Sequence, residues 1–166
     1  MSKLTVLVYP DPRLRKKALP VEVFDTKLAQ FVDDMFAIMY DDDGVGLAAT
    51  QVNIQQRVLV ADPQQNGGRQ PFYMINPVIV EKEGVFTWQE GCLSVPGTYD
   101  FVERANKIKV EYQDKTGAKQ SMDAEAYLAV IIQHEMDHLD CKLFIDYLSV
   151  IKRERARKKI LSKDKS

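Results

Sequence analysis

The run Gln133-His134-Glu135-Met136-Asp137-His138 constrains this chain more than any other stretch. It reads H-E-x-x-H. On a helix, residues four apart share a face, so His134 and His138 can reach one metal ion together. Glu135 then stands beside that ion, where it can take a proton from a water. The chain has only two histidines and both lie here, which argues against imidazoles that fall on a core helix by chance. Leu128, Val130, Ile131 and Ile132 make the centre of the helix apolar over most of its circumference, so the helix is predicted to be buried. A good cap at Asp123, with Glu125 in the first turn, sets its expected start. The fold must therefore wrap other elements around this helix and leave an apolar-lined pocket at its functional end.

The remaining elements follow from periodicity and breakers. Residues 4–9 are apolar and β-branched, which predicts a short strand. Pro10, Pro12 and Pro20 make residues 10–23 irregular, with Leu14, Leu19 and Val21 as anchors to the core. A helix begins at Asp25 or Thr26, with Leu28, Phe31, Val32, Met35 and Met39 at helical spacing. The acidic run Asp41-Asp42-Asp43 suits a loop better than a helix C-terminus, where the dipole is negative. Residues 44–51 read as a closely packed loop, because Gly44 and Gly46 let backbone approach a ligand or another strand. Residues 57–62, 72–81 and 84–88 are expected strands, with an edge or bulge at Asn76-Pro77. Residues 108–113 and 118–122 form a hairpin about the turn at 114–117. A last basic helix covers roughly residues 148–161. No repeat, low-complexity tract or linker divides the 166 residues, so one catalytic domain over 1–166 is expected.

A hydrophobic content of 45% and a charged content of 28% fit an ordinary soluble protein, and no segment could span a membrane. A net charge of −1 rules out a chain that binds polyanions over its whole surface. The charge is uneven, however. Residues 152–166 hold eight Lys/Arg against two Asp/Glu, so an acidic body carries a basic tail. The N-terminus has no apolar run suited to export, so a cytoplasmic location is expected. In that compartment two cysteines point to metal binding or reactivity before a disulfide.

Two histidines leave a catalytic metal short of its usual three protein ligands. Without a third histidine, the choice falls to a cysteine or a carboxylate. Cys141 lies seven positions after His134, about 10.5 Å along a continuous helix, too far to share one ion. Cys92 is the better candidate, because a strand could carry it past the helix.

Three segments together resemble the signature motifs of the peptide deformylase family. They are Gly44-Val45-Gly46-Leu47-Ala48-Ala49-Thr50-Gln51, Glu90-Gly91-Cys92-Leu93-Ser94 and Gln133-His134-Glu135-Met136-Asp137-His138, in the family's order. The similarity extends from the N-terminal segment to Asp146-Tyr147-Leu148-Ser149. It implies an α+β fold with antiparallel sheets around the metal helix. It implies Cys92, His134 and His138 as metal ligands and Glu135 as general acid and base. Gln51 and the backbone N–H of Leu93 would hold the oxyanion. One divalent ion per chain is implied, Fe(II) natively, with zinc, nickel or cobalt able to replace it. The implied substrate is a nascent peptide beginning with N-formylmethionine, and the products are formate and the free peptide. Val45, Gly46, Gly91 and Ile131 are the expected substrate-binding residues, with Val45 and Ile131 beside the methionine side chain. A monomer is expected, and the basic tail is expected to favour the ribosome.

Two positions depart from the family pattern. Cys141 stands where a glycine is usual soon after the second histidine. Tyr99 stands where some members carry an arginine that touches the substrate backbone, and Arg104 lies near it in sequence. Two rivals remain at this level. An H-E-x-x-H endoprotease normally draws its third ligand from downstream, yet only 28 residues follow His138 and none is a histidine. A metal-stabilised RNA-binding module would leave Glu135 and Gln51 without a task.

Overall fold

The computed structural model describes residues 4–163. Along the chain come α1 (Thr26–Asp41), β1 (Gly46–Ala48), β2 (Val58–Ala61), β3 (Phe72–Glu83), β4 (Phe86–Cys92), β5 (Val95–Arg104), β6 (Lys107–Gln113), β7 (Lys119–Glu125), α2 (Ala126–Leu139) and α3 (Val150–Lys163). The expected tail of residues 152–166 is therefore covered to residue 163, and 164–166 lie outside the described residues. Five strands form an antiparallel sheet in the order β1-β2-β3-β6-β7, and β4 pairs with β5 in a separate hairpin. The chain is α+β, as expected.

The five-stranded sheet separates two apolar layers. All four residues of β2 are buried, which is what a continuous apolar run does when both faces of a strand are covered. Val58 and Val60 point to a cluster with Leu28, Val32, Met35 and Met39 of α1. Leu59 points the other way, to Ile132, Met136 and Leu139 of α2. On its far side α2 meets β4 and β5. The metal-motif helix thus lies between the two sheets, and its ten buried residues include His134, Glu135 and His138.

Several boundaries differ from expectation, each for a local reason. α1 starts as predicted, with the Asp25 carboxylate accepting from the Leu28 N–H at 3.0 Å. Residues 4–9 do not form a strand. Leu7 N–H donates to Gln51 and Tyr9 N–H to Ser94, so the segment has two partners and no ladder. Leu14 and Val21 are buried, but Leu19 is 65% exposed and anchors nothing by its side chain. Gly46–Ala48, expected as loop, is an edge strand paired with β2. Asp123 lies in β7 opposite Lys109, and α2 begins at Ala126, after a sharp turn with Ala126 at φ 54°. Asn76-Pro77 is a bulge in an interior strand, since the β3–β6 register shifts between Ile75 and Val78. The Asn76 amide fastens the N-terminal segment there, accepting from Val21 N–H and donating to Val21 C=O.

Candidate metal centre and active site

Cys92 arrives at the end of β4 and faces the two histidines of α2. The ligand atoms of Cys92, His134 and His138 all lie within 4.8 Å of one another. Cys92 Sγ is 3.3 Å from His138 Nε2, and the two imidazole centroids are 5.0 Å apart. One soft and two borderline donors at this spacing suit a divalent transition metal such as zinc or iron. The pattern of partners agrees. His134 Nδ1 is 2.8 Å from the Glu90 carboxylate, which leaves Nε2 as its free donor. Among the described residues, the buried His138 Nδ1 and Glu135 Oε1 have no hydrogen-bond partner.

The electrostatics of the cluster favour a cation. Burial disfavours the charged form of His134, but Glu135, Cys92 and Glu90 outweigh it and raise its pKa well above the usual imidazole value. Burial, aided by His134, pushes His138 well below that value. Burial lifts Glu135 to about 7, against the pull of His134. A carboxylate held this way can both accept and return a proton near neutrality.

The end of α2 is pinned, and the pinning fixes His138. The last carbonyls of a helix lack intrahelical donors. Here Asp140 N–H bonds to Met136 C=O and Lys142 N–H to Asp137 C=O. Thr50 Oγ1 donates to His138 C=O, and Ala18 N–H to Leu139 C=O. Each of these four carbonyls therefore has a donor.

Gln51 sits beside Cys92 and is 1% exposed. Its Oε1 accepts from Ala48 N–H at 2.9 Å, which aims Nε2 at Ser94 Oγ (3.0 Å) and Cys92 Sγ (3.6 Å). Leu93 lines a groove together with Gln51, Cys92, His134 and Glu135, and packs on Gly44, where a Cβ would lie 2.8 Å from Leu93 Cδ1. Gly46 is required for its size, because a Cβ there would collide with the Glu135 carboxylate. Beside this groove lies a pocket of about 110 Å³ whose lining includes Val45, Trp88, Tyr127, Val130, Ile131 and, shared with the groove, His134 and Glu135.

A buried ionic chain stands behind His134. Arg104 donates through Nε and Nη2 to both oxygens of Glu90, at 2.8 and 2.9 Å. Its Nη1 reaches Asp137, which also accepts from Tyr147 Oη at 2.7 Å. Burial opposes the charge on Glu90, yet the bonds from Arg104 and His134 hold its pKa below the ordinary carboxylate value.

The polypeptide deformylase family model matches residues 3–154. The chain belongs to the peptide deformylase family. It is 52% identical over 160 residues to a peptide deformylase of Alkalilimnicola ehrlichii, covering 96% of this chain and 90% of that one. Its structure is similar to that of a Legionella pneumophila peptide deformylase, with TM-score 0.92, 43% identity, and 99% and 96% of the two chains covered. It is equally similar to an Ehrlichia chaffeensis peptide deformylase in complex with actinonin, with TM-score 0.93, 39% identity and both chains covered completely. This chain is thus an enzyme, a hydrolase that removes the formyl group from N-terminal formylmethionine, and its family is metal-dependent.

Set within a deformylase, the residues singled out in the sequence come together: Gln51, Cys92, Leu93, His134 and Glu135 all border one groove, and His138 lies against Cys92. Val45 and Gly91 border both groove and pocket, Gly46 the groove alone, and Ile131 the pocket. Arg104 does not stand in for an arginine at position 99, because its guanidinium is buried against Glu90 and Asp137. Sequence reasoning passed over Glu90, Arg104, Asp137 and Tyr147 as a connected group. Glu90 could have been found from its place two residues before Cys92; Arg104 offered no local signal.

Proposed function

We propose that Cys92, His134 and His138 hold one divalent ion in this deformylase, and that Glu135, Gln51 and Leu93 carry the chemistry of formyl hydrolysis. The observation that carries this is the convergence of the three ligand atoms within 4.8 Å beside a buried, unpartnered Glu135 oxygen. When bound, the ion lowers the pKa of a water towards ~7 and polarises the formyl carbonyl. Glu135 takes the proton from the attacking water. It returns that proton to the methionine nitrogen as the C–N bond breaks, leaving formate and a free amino terminus. Gln51 Nε2 and the Leu93 N–H hold the oxygen that becomes negative during attack, a contribution of about 3 kcal/mol per donor in comparable sites. Gln51 is poised for this because its Oε1 is already committed to Ala48 N–H, so its amide cannot flip without losing that bond.

The methionine side chain takes the apolar pocket between Val45 and Ile131, with Gly46 and Gly91 allowing the peptide backbone to come close. Fe(II) is the native ion by family resemblance, and zinc, nickel or cobalt can take its place because the donor set suits them all. Residues 1–166 act as one catalytic unit, as a cytoplasmic monomer on nascent chains. Among the described residues no helix is long and apolar enough to cross a membrane.

Metal analysis of anaerobically purified protein, paired with formate release from a formylmethionyl peptide, tests the assignment. Glu135→Gln should keep its metal and lose turnover by at least about 100-fold. Cys92→Ala should lose both. Full metal content in Cys92→Ala would mean that the third ligand is misassigned.

A further inference from the structure

Among the described residues three carboxylates are buried, those of Asp62, Glu90 and Glu135. Glu90 and Glu135 belong to the metal centre and the ionic chain behind it. Asp62 belongs to neither. It follows directly on β2 and is 0% exposed. A carboxylate taken out of water needs several donors to offset the loss. Asp62 has three. Oδ1 accepts from the N–H of Gln64 at 3.0 Å and from that of Gln70 at 2.9 Å, and Oδ2 accepts from Tyr40 Oη. The two backbone bonds close residues 63–70 around the carboxylate. The third ties that loop to α1, and the Arg69 guanidinium lies over the Tyr40 ring, 4.4 Å from its centroid.

This clasp holds one wall of the apolar pocket. Val45 stands one residue before β1, and its C=O accepts from Asp62 N–H at 2.8 Å, one step beyond the last ladder pair, Gly46 with Ala61. The neighbouring Gly44 C=O accepts from Gln64 Nε2 at 3.4 Å. β1 is only three residues long, so its own ladder gives the segment before it little hold. The pocket that Val45 lines is about 110 Å³, and a small shift of this side chain changes the fit of whatever enters. Asp62 lines neither the pocket nor the groove, so it acts through Val45 and Gly44. Without the carboxylate, residues 63–70 and Tyr40 lose their common acceptor, and the N–H that holds Val45 moves with the chain at position 62.

We propose that Asp62 is a positioning residue for the substrate's first side chain: through its own N–H and the loop it closes, it sets where Val45 stands and so how selectively the pocket takes methionine. The proposal rests on the deformylase reading, in which this pocket holds that side chain. Tyr40 shares the task, because its hydroxyl fixes the carboxylate to the end of α1.

The test compares kcat/KM for formyl-Met-Ala-Ser and formyl-Ala-Ala-Ser. Their ratio does not depend on how much of a preparation is folded and metal-loaded, so a purely structural loss leaves it unchanged. Asp62→Ala should lower the ratio by about tenfold, the scale of one misfitted methylene in an apolar pocket. Tyr40→Phe deletes one bond to the carboxylate and keeps the ring, and should lower it by about threefold. Asp62→Asn keeps the acceptor for the two N–H groups and can still pair with Tyr40 Oη, so its ratio should stay close to the parent's. The losses should lie in KM of the methionyl peptide, with kcat within about threefold, and metal content should match the parent. An unchanged ratio in Asp62→Ala, with both peptides turned over more slowly in proportion, overturns the proposal and leaves Asp62 as a loop anchor. Should that variant fail to fold, Tyr40→Phe decides: the parent's ratio there overturns the proposal. Absence of formate from both peptides in the parent enzyme, with metal bound, would instead defeat the functional reading beneath it.

Discussion

At position 141 a single residue carries a cost that the fold does not require. α2 ends at Leu139, and Cys141 follows with φ 59°, in the left-handed region. Lys142 N–H reaches back to Asp137 C=O and Cys141 N–H to His138 C=O. This is the Schellman arrangement, in which glycine normally takes the left-handed place. The sequence pointed to it, because the helix had to stop before Leu143-Phe144-Ile145 could turn inward and those three residues are now in the core. Cysteine bears a Cβ clash there that glycine would relieve. Cys141→Gly should stabilise the protein by about 1 kcal/mol, after offsetting the freer unfolded chain. The midpoint of thermal unfolding of the metal-loaded variant should rise by a few degrees, and its metal content should be unchanged, because Cys141 is outside the ligand cluster. A lower midpoint would mean that the thiol's packing outweighs the strain. Ala126 has the same backbone hand, φ 54°, at the start of α2. There the sequence offered no glycine or asparagine as a sign, and Asp123 drew the expected start three residues too early.

Among elements, the hairpin of β4 and β5 was the least legible, and it carries much of the site. Strand β5 escaped notice because its apolar residues do not alternate. Val95 and Val102 are buried, while Tyr99 and Phe101 face outward at 66% and 62% exposure. Strands with one clean face, such as β6 with Ile108 and Val110 inward, were legible from their period. The three motif segments were legible as chemistry, yet nothing local showed that Arg104 of β5 would join Glu90 of β4 to Asp137 of α2. Through Glu90, two residues before Cys92, that junction reaches His134 Nδ1. Glu90→Gln should keep the shape and weaken the hold on His134 Nδ1, lowering metal affinity by about 10- to 100-fold in a chelator competition. Arg104→Leu should do more harm, because it leaves two carboxylates facing each other with little solvent. Its cost should be at least about 3 kcal/mol in denaturant unfolding. Wild-type metal affinity in Glu90→Gln would show that the imidazole is positioned by packing alone.

For the molecule as a whole, the basic segment is not a loose tail. α3 buries Ala156 and Ile160 in a cluster with Val95, Val102, Leu143, Phe144 and Ile145, and Cys92 packs against that cluster. Lys152 pairs with Asp100 at 3.0 Å, and Lys159 donates to Gly97 C=O, so both ends of the helix hold β5. Composition gave the charge of this segment but not its inner face, since two apolar side chains in a run of cations read as a solvated helix. Cutting the chain before Lys152 would therefore open the core behind Cys92 as well as remove charge. Charge is better removed from the outer face alone. Arg155, Arg157 and Lys158 are exposed, and only Arg157 has an ion-pair partner, Glu154, among the described residues. If α3 draws the enzyme to ribosomal RNA, replacing these three residues with glutamine should weaken binding to ribosomes and flatten its dependence on salt, by a slope of up to about three if each residue meets one phosphate. Turnover of a short formyl peptide should stay within about twofold, because none of the three is among the residues that line the groove. Binding that keeps both its strength and its salt dependence in this variant would place the contact on another face, and unchanged salt dependence with weaker binding would mean that α3 docks through shape rather than charge.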